Sequence, residues 1–201
     1  MIHKLVRLAK RMREEGFRPL AVAYLGLFSR RWRGGWLRRR TGLRGGRGLQ
    51  ANGPVFVREG WRVTAGGDVY LGENTALEGA VTLGDRVYVG AGCQLKAITD
   101  ITIGEGTLLA PYVWISDYEH GVAPDLPVSE QIIGRQAAVA IGRDCWLGYG
   151  AVIMSGSQIG DGAVIGANAV VTAGTVVPAG EIWVGNPARF LRSRSKIEAA
   201  G

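Results

Sequence analysis

Cysteine and histidine are scarce in this 201-residue chain, with two of each. Cys93 and Cys145 are too few for a disulfide framework, and that usage fits a reducing compartment, so a cytoplasmic protein is expected. His3 and His120 cannot make a three-histidine zinc site, which excludes carbonic-anhydrase-like chemistry, and no metal is expected. No apolar run reaches the roughly 18 residues that a membrane-spanning helix needs. The opening MIHKLVRLAKRMREEGF scatters charges where a signal peptide would be apolar, and reads as none. P-loop, GxSxG and CxxC motifs are absent. The glycines of GGRG at 45–48 lie in basic coil, where they carry no nucleotide signature.

Glycine, in contrast, is abundant: 32 of 201 residues, about twice ordinary usage. There is no collagen-like triplet and no flexible Ser/Gly tract, so these glycines punctuate ordered structure with many corners. The formal charge of +7 conceals an asymmetry. Residues 1–48 hold 14 Lys and Arg against Glu14 and Glu15, while the other 153 residues hold 10 basic and 15 acidic side chains. A basic arm is joined to a mildly acidic body.

The body repeats every six residues. From Ile141 an aliphatic recurs at Leu147, Ile153, Ile159, Ile165, Val171 and Val177. Glycine follows it at Gly142, Gly148, Gly160 and Gly166, and a small residue precedes the next aliphatic by two, from Cys145 through Ala151, Ser157, Ala163 and Ala169 to Thr175. An earlier run passes through Leu71, Leu77, Leu83, Val89, Leu95 and Ile101, then slips by two to Ile103, Leu109 and Ile115. Neither a helix nor an ordinary strand has this period. A short strand with a turn at every sixth residue does, the aliphatic pointing into a narrow prism.

On this repeat the chain resembles the hexapeptide-repeat acyltransferases over roughly residues 57–190. The resemblance implies an all-β fold, a left-handed parallel β-helix with about three hexads per coil. It also implies a homotrimer with active sites in the clefts between subunits. The expected organisation is a basic amphipathic or helical arm over residues 1–50, a β-helix over 51–190 with an extruded loop at 116–140, and a C-terminal tail or short helix over 191–201.

The one long break in the repeat is SDYEHGVAPDLPVSEQIIGRQAAVA, between Ile115 and Ile141. Long loops in compact domains are commonly functional, and this one carries His120. Acetyl transfer from a thioester to an alcohol needs the alcohol's proton removed during attack, a task suited to imidazole, and N–H donors for the oxyanion. The stretch WISDYEHG, the run IGRDCWLGYGAVIMSGSQIGDGAVIGANAVVTAGTVVP and the following GNPAR resemble the sugar O-acetyltransferase branch of the family. That resemblance implies His120 as general base, acetyl-CoA as donor and a saccharide as acceptor. Asp117 either orients the imidazole or caps the loop. Trp146 would wall the cleft, and Gly148, Tyr149, Ala167, Thr172, Arg189 and Arg192 would bind coenzyme A, the arginines at its phosphates. Ala173 departs from the family, where Lys is frequent. The cysteines fall at the small corner position, which predicts buried, inert thiols and direct transfer without an acyl-cysteine.

The acceptor is less legible. Gly90 and Ile98 stand where polar groups for small galactosides would be expected, so a larger cell-surface glycan precursor is the expected class. The same scaffold also serves N-acetylation of a nucleotide-linked amino sugar or, without catalysis, partner assembly. In the arm, Leu5, Leu8 and Met12 share a helical face, and RRWRGGWLRRR interleaves Trp32 and Trp36 with arginines. That suits either a peripheral contact of residues 1–48 with an anionic membrane or a cap on the open end of the β-helix. Nucleic acid is not an expected partner.

Overall fold

The computed structural model describes residues 29–39, 43–57 and 62–194. Over them the chain winds as a parallel β-solenoid with three faces. The first face stacks seven strands from Arg44–Gly45 to Val176–Val177. The second runs from Gln50–Asn52 to Glu181–Val184 and is closed by Arg189–Ser193. The third stacks six, from Val55–Val57 to Val170–Val171. The parallel registers are direct evidence for the solenoid; its hand and assembly are taken up below as proposals.

The six-residue period appears as three inward columns. Leu83, Ile103, Ile141, Ile159 and Val177 stack on the first face. Leu71, Val89, Leu109, Leu147 and Ile165 stack on the second. Leu77, Leu95, Ile115, Ile153 and Val171 stack on the third. All are buried and form one continuous core, the main source of stability in a fold whose backbone hydrogen bonds run between coils. The glycine that follows each aliphatic answers to the next coil. A Cβ on Gly160 would lie 2.5 Å from the Ala179 nitrogen, and one on Gly148 2.5 Å from that of Ala167.

The two-residue slip has a geometric cause. Ile101 aligns with Val81 and Ile103 with Leu83, so both point inward on a three-residue strand and the extra residues lie before it, after Lys96. The alignments place every departure from six-residue spacing at one corner, where the third face turns into the first. There Val57 is followed by Ala65, Leu95 by Ile103, and Ile115 by Ile141 as the next inward column residue.

Residues 29–39 are helical and cap the first coil. A Cβ on Gly34 would lie 2.2 Å from the Leu49 carbonyl oxygen, Leu37 is buried, and Arg30 Nε donates to Asn52 Oδ1 at 3.2 Å. The arm boundary expected at residue 50 is corrected, because Arg44–Gly45 and Gln50–Asn52 already pair with Thr64–Ala65 and Tyr70–Gly72. The amphipathic face at Leu5, Leu8 and Met12 lies outside the described residues. The helix expected from residue 191 is also corrected. The chain reverses through Gly185–Pro187 and runs Arg189–Ser193 antiparallel to Glu181–Val184, satisfying the backbone groups of the last strand on that face.

Candidate active site

The break between Ile115 and Ile141 is a hairpin. Tyr118–His120 pairs antiparallel with Ile133–Gln136, and the register shifts between Glu119 and His120. Such bulges bend a strand and re-aim its side chains. The loop beyond is held by Gln131, whose Nε2 donates to the Ala123 and Leu126 carbonyls while its Oε1 accepts from the Ala123 amide. Behind the hairpin, Ser155 Oγ donates to Glu119 Oε1 at 2.8 Å, and the Arg135 guanidinium lies against Gly156 and Gly174. His120 is thus carried on a two-stranded element braced against the solenoid, with its side chain exposed. Among the described residues its imidazole makes no hydrogen bond, and it is available to a ligand.

Asp117 is fully buried. Its Oδ1 accepts from the Ile98 amide at 2.8 Å, and its Oδ2 from the Thr99 and Asp100 amides at 2.6 and 2.7 Å. Of the two roles left open by the sequence, this geometry describes the loop cap. The carboxylate holds together the two-residue insertion after Lys96 and the base of the His120 hairpin, so it positions the corner. Nothing in the sequence pattern linked Asp117 to residues 98–100, because the link needs coils stacked at that corner.

The remaining candidates fall into separate groups. Trp146 projects from the second face, 53% exposed, above a groove of about 750 Å³ lined also by Leu108, Val164, Ile182, Arg192 and Arg194. Its apolar wall and guanidinium edge suit a ligand with an alkyl arm and phosphates. Sequence reasoning missed Arg194, which lies where a tail or helix was expected. Its Nη1 donates to the Gly162 carbonyl at 2.8 Å and lies 3.2 Å from Asp144 Oδ2. Gly148, Tyr149 and Ala167 mark the corner between the second and third faces. The Gly148 amide already donates to the Ile165 carbonyl, and the Tyr149 ring meets Tyr112 edge-on at 5.5 Å. Arg189 pairs with Val184 on the last strand. Thr172 stands at the same corner as the hairpin, its Oγ1 3.1 Å from Thr175 Oγ1.

Within one chain, therefore, His120 and Trp146 are not brought together. In a three-faced prism the second face lies opposite the corner joining the third and the first.

The thiols match expectation. Cys93 and Cys145 are buried; burial pushes the Cys93 thiol up to about 11 and raises that of Cys145, which suppresses the nucleophilic thiolate. Among the described residues no three His, Cys, Asp or Glu side chains converge as metal ligands, and no helix is long and apolar enough to cross a membrane.

Stacked coils, a hexad core and a histidine hairpin define a hexapeptide-repeat β-solenoid. Residues 138–173 match the family described as bacterial transferase hexapeptide (six repeats), and acetyltransferases are among the chain's relatives. The chain is 29% identical to Escherichia coli WbbJ, a protein named for O-acetyl transfer in lipopolysaccharide biosynthesis, over 53% of this chain and 60% of that one. A maltose O-acetyltransferase from Clostridium difficile superposes with a TM-score of 0.54 at 27% identity, over 80% of this chain and 73% of the other. AntD, an N-acyltransferase from Bacillus cereus solved with dTDP and coenzyme A, superposes at 0.70 with 17% identity, over 81% and 89%; that likeness concerns the fold. The chain spans 40–66% of the length of the curated relatives it matches.

Proposed function

We propose that this protein transfers an acetyl group from acetyl-CoA to a saccharide hydroxyl, in the synthesis of a cell-surface polysaccharide in the cytoplasm. The observation that carries the reading is His120, exposed on a braced hairpin at the one long break in a hexapeptide solenoid. Similarity to proteins named for sugar O-acetylation supports the choice of acceptor.

In the proposed step His120 accepts the hydroxyl proton as the oxygen attacks the thioester carbonyl carbon. The tetrahedral oxyanion collapses, the C–S bond breaks, and the imidazolium returns the proton to the departing sulfur. No acyl-enzyme is formed. The donor lies along the groove of Trp146, Arg192 and Arg194, with Arg189 beside it and Gly148, Tyr149, Ala167 and Thr172 along the same coils.

Because one chain holds His120 and that groove on opposite sides, the reading requires more than one copy. We place left-handed solenoids in a homotrimer, so that the hairpin of one protomer reaches the second face of the next.

Calorimetric titration with acetyl-CoA is the first test, with saturation near one molecule per subunit expected. Thiol release is then followed with saccharide acceptors. A protein that binds no acetyl-CoA as an intact oligomer overturns the reading, and acetylation of amino sugars alone would move the acceptor atom from oxygen to nitrogen. Refolding mixtures of H120A with W146A/R192Q tests the shared site. The expected outcome is activity that neither parent has, and its absence overturns the between-subunit arrangement.

A further inference from the structure

The capping helix does more than close the solenoid. Its inward side is used by Gly34 and Leu37, and two other surfaces flank it. On one side Trp32, Trp36, Ala51, Pro54 and Val55 line an apolar groove of about 670 Å³. Trp32 is 66% exposed, Trp36 52%, and Phe56, on the outer side of the first coil, 60%. On the other side Arg31, Arg38 and Arg47 surround a second hollow of about 570 Å³ at the Gly46–Gly48 turn.

The charge here is of one sign. Residues 29–39 and 43–57 contain seven arginines and no Asp or Glu. Asp68, in the next coil, is the carboxylate that approaches, 3.9 Å from Arg31. Seven guanidinium groups repel one another across one small end of the molecule, and large aromatic side chains stand in water beside them. An anionic lipid surface resolves both. Phosphates take the guanidinium forks, and indole rings favour the boundary between headgroups and acyl chains. Duplex nucleic acid would answer the arginines but leave the tryptophan groove wet.

We propose that this end of the solenoid docks peripherally on an anionic phospholipid surface, Trp32 and Trp36 entering the headgroup boundary and the arginines pairing with lipid phosphates. The proposal stands independently of the transfer reaction. It would hold the first coil at the membrane while the His120 hairpin leaves three coils further on.

The test is flotation of the full chain with phosphatidylcholine vesicles made with and without phosphatidylglycerol. The expected result is recovery on the anionic vesicles alone. Each arginine near such a surface contributes roughly fivefold in partitioning, so R33Q/R39Q should bind roughly 25-fold more weakly, and W32A several-fold more weakly. These three side chains are exposed, so the variants should melt with the wild type. Equal recovery on neutral vesicles, or binding unchanged in both variants, overturns the proposal. So does release from the vesicles by duplex DNA present at a lower phosphate concentration than the lipid, an outcome that assigns the cluster to nucleic acid.

Discussion

The corner joining the third and first faces and the two other corners are built from the same hexads, yet they behave differently. At the two others every turn takes six residues from one inward aliphatic to the next, as in Ile141, Leu147 and Ile153. At the third–first corner the chain inserts residues after Val57, after Leu95 and after Ile115. The regular corners cannot take an insertion without breaking the coil-to-coil hydrogen bonds on both adjoining faces. One corner is left free to vary, and the candidate base, its hairpin and the buried carboxylate that braces it all collect there. Scaffold and chemistry are separated by position around the prism rather than along the chain.

The sharpest way to break this comparison is His120→Ala. Turnover should fall by roughly 10²–10⁴-fold with the melting temperature and acetyl-CoA binding unchanged. Unchanged turnover would remove the variable corner's claim to the chemistry. Asp117→Ala should instead act on folding, leaving three backbone N–H groups without their charged acceptor. A loss of about 3 kcal/mol or more in denaturant unfolding is expected, with Asp117→Asn intermediate. A variant as stable as wild type would show that the corner does not depend on this carboxylate.

At a regular corner, Gly160→Ala should cost about 1–3 kcal/mol, because the added methyl meets the Ala179 backbone. A neutral outcome would mean the regular corners are as adaptable as the variable one. The smallest effect belongs to Cys93. Burial raises its folded-state thiol to about 11, above the unfolded value, so its stabilising contribution is complete below the unfolded value. That contribution is lost as pH rises through about 11. Cys93→Ala should therefore flatten the alkaline decline in melting temperature, and native protein should resist thiol alkylation at neutral pH.

Much of the fold was legible in the sequence, because a six-residue period with glycine and a small residue at fixed offsets is compatible with few other structures. The inward columns, the buried thiols and the site of the long insertion could all be read from local spacing. The candidate site was legible only in part. His120 was found because it is one of two histidines, in the longest gap. Arg194 carried no pattern, and the C-terminal strand was misread as tail or helix because its partner, Glu181–Val184, is set by a reversal at Gly185–Pro187. The capping helix hid the true start of the solenoid, since Arg44–Gly45 and Gln50–Asn52 interrupt a basic run without aliphatic columns of their own.

By itself, then, the sequence determined the period, the core and the residue types available for chemistry, since these depend on neighbours a few positions apart. Only the tertiary structure decided that Asp117 binds the amides of residues 98–100, that the insertions share one corner, and that His120 and Trp146 face away from each other. Those relations join residues about 20 to 40 positions apart, and the number of residues per coil, summed over every corner, sets which of them meet.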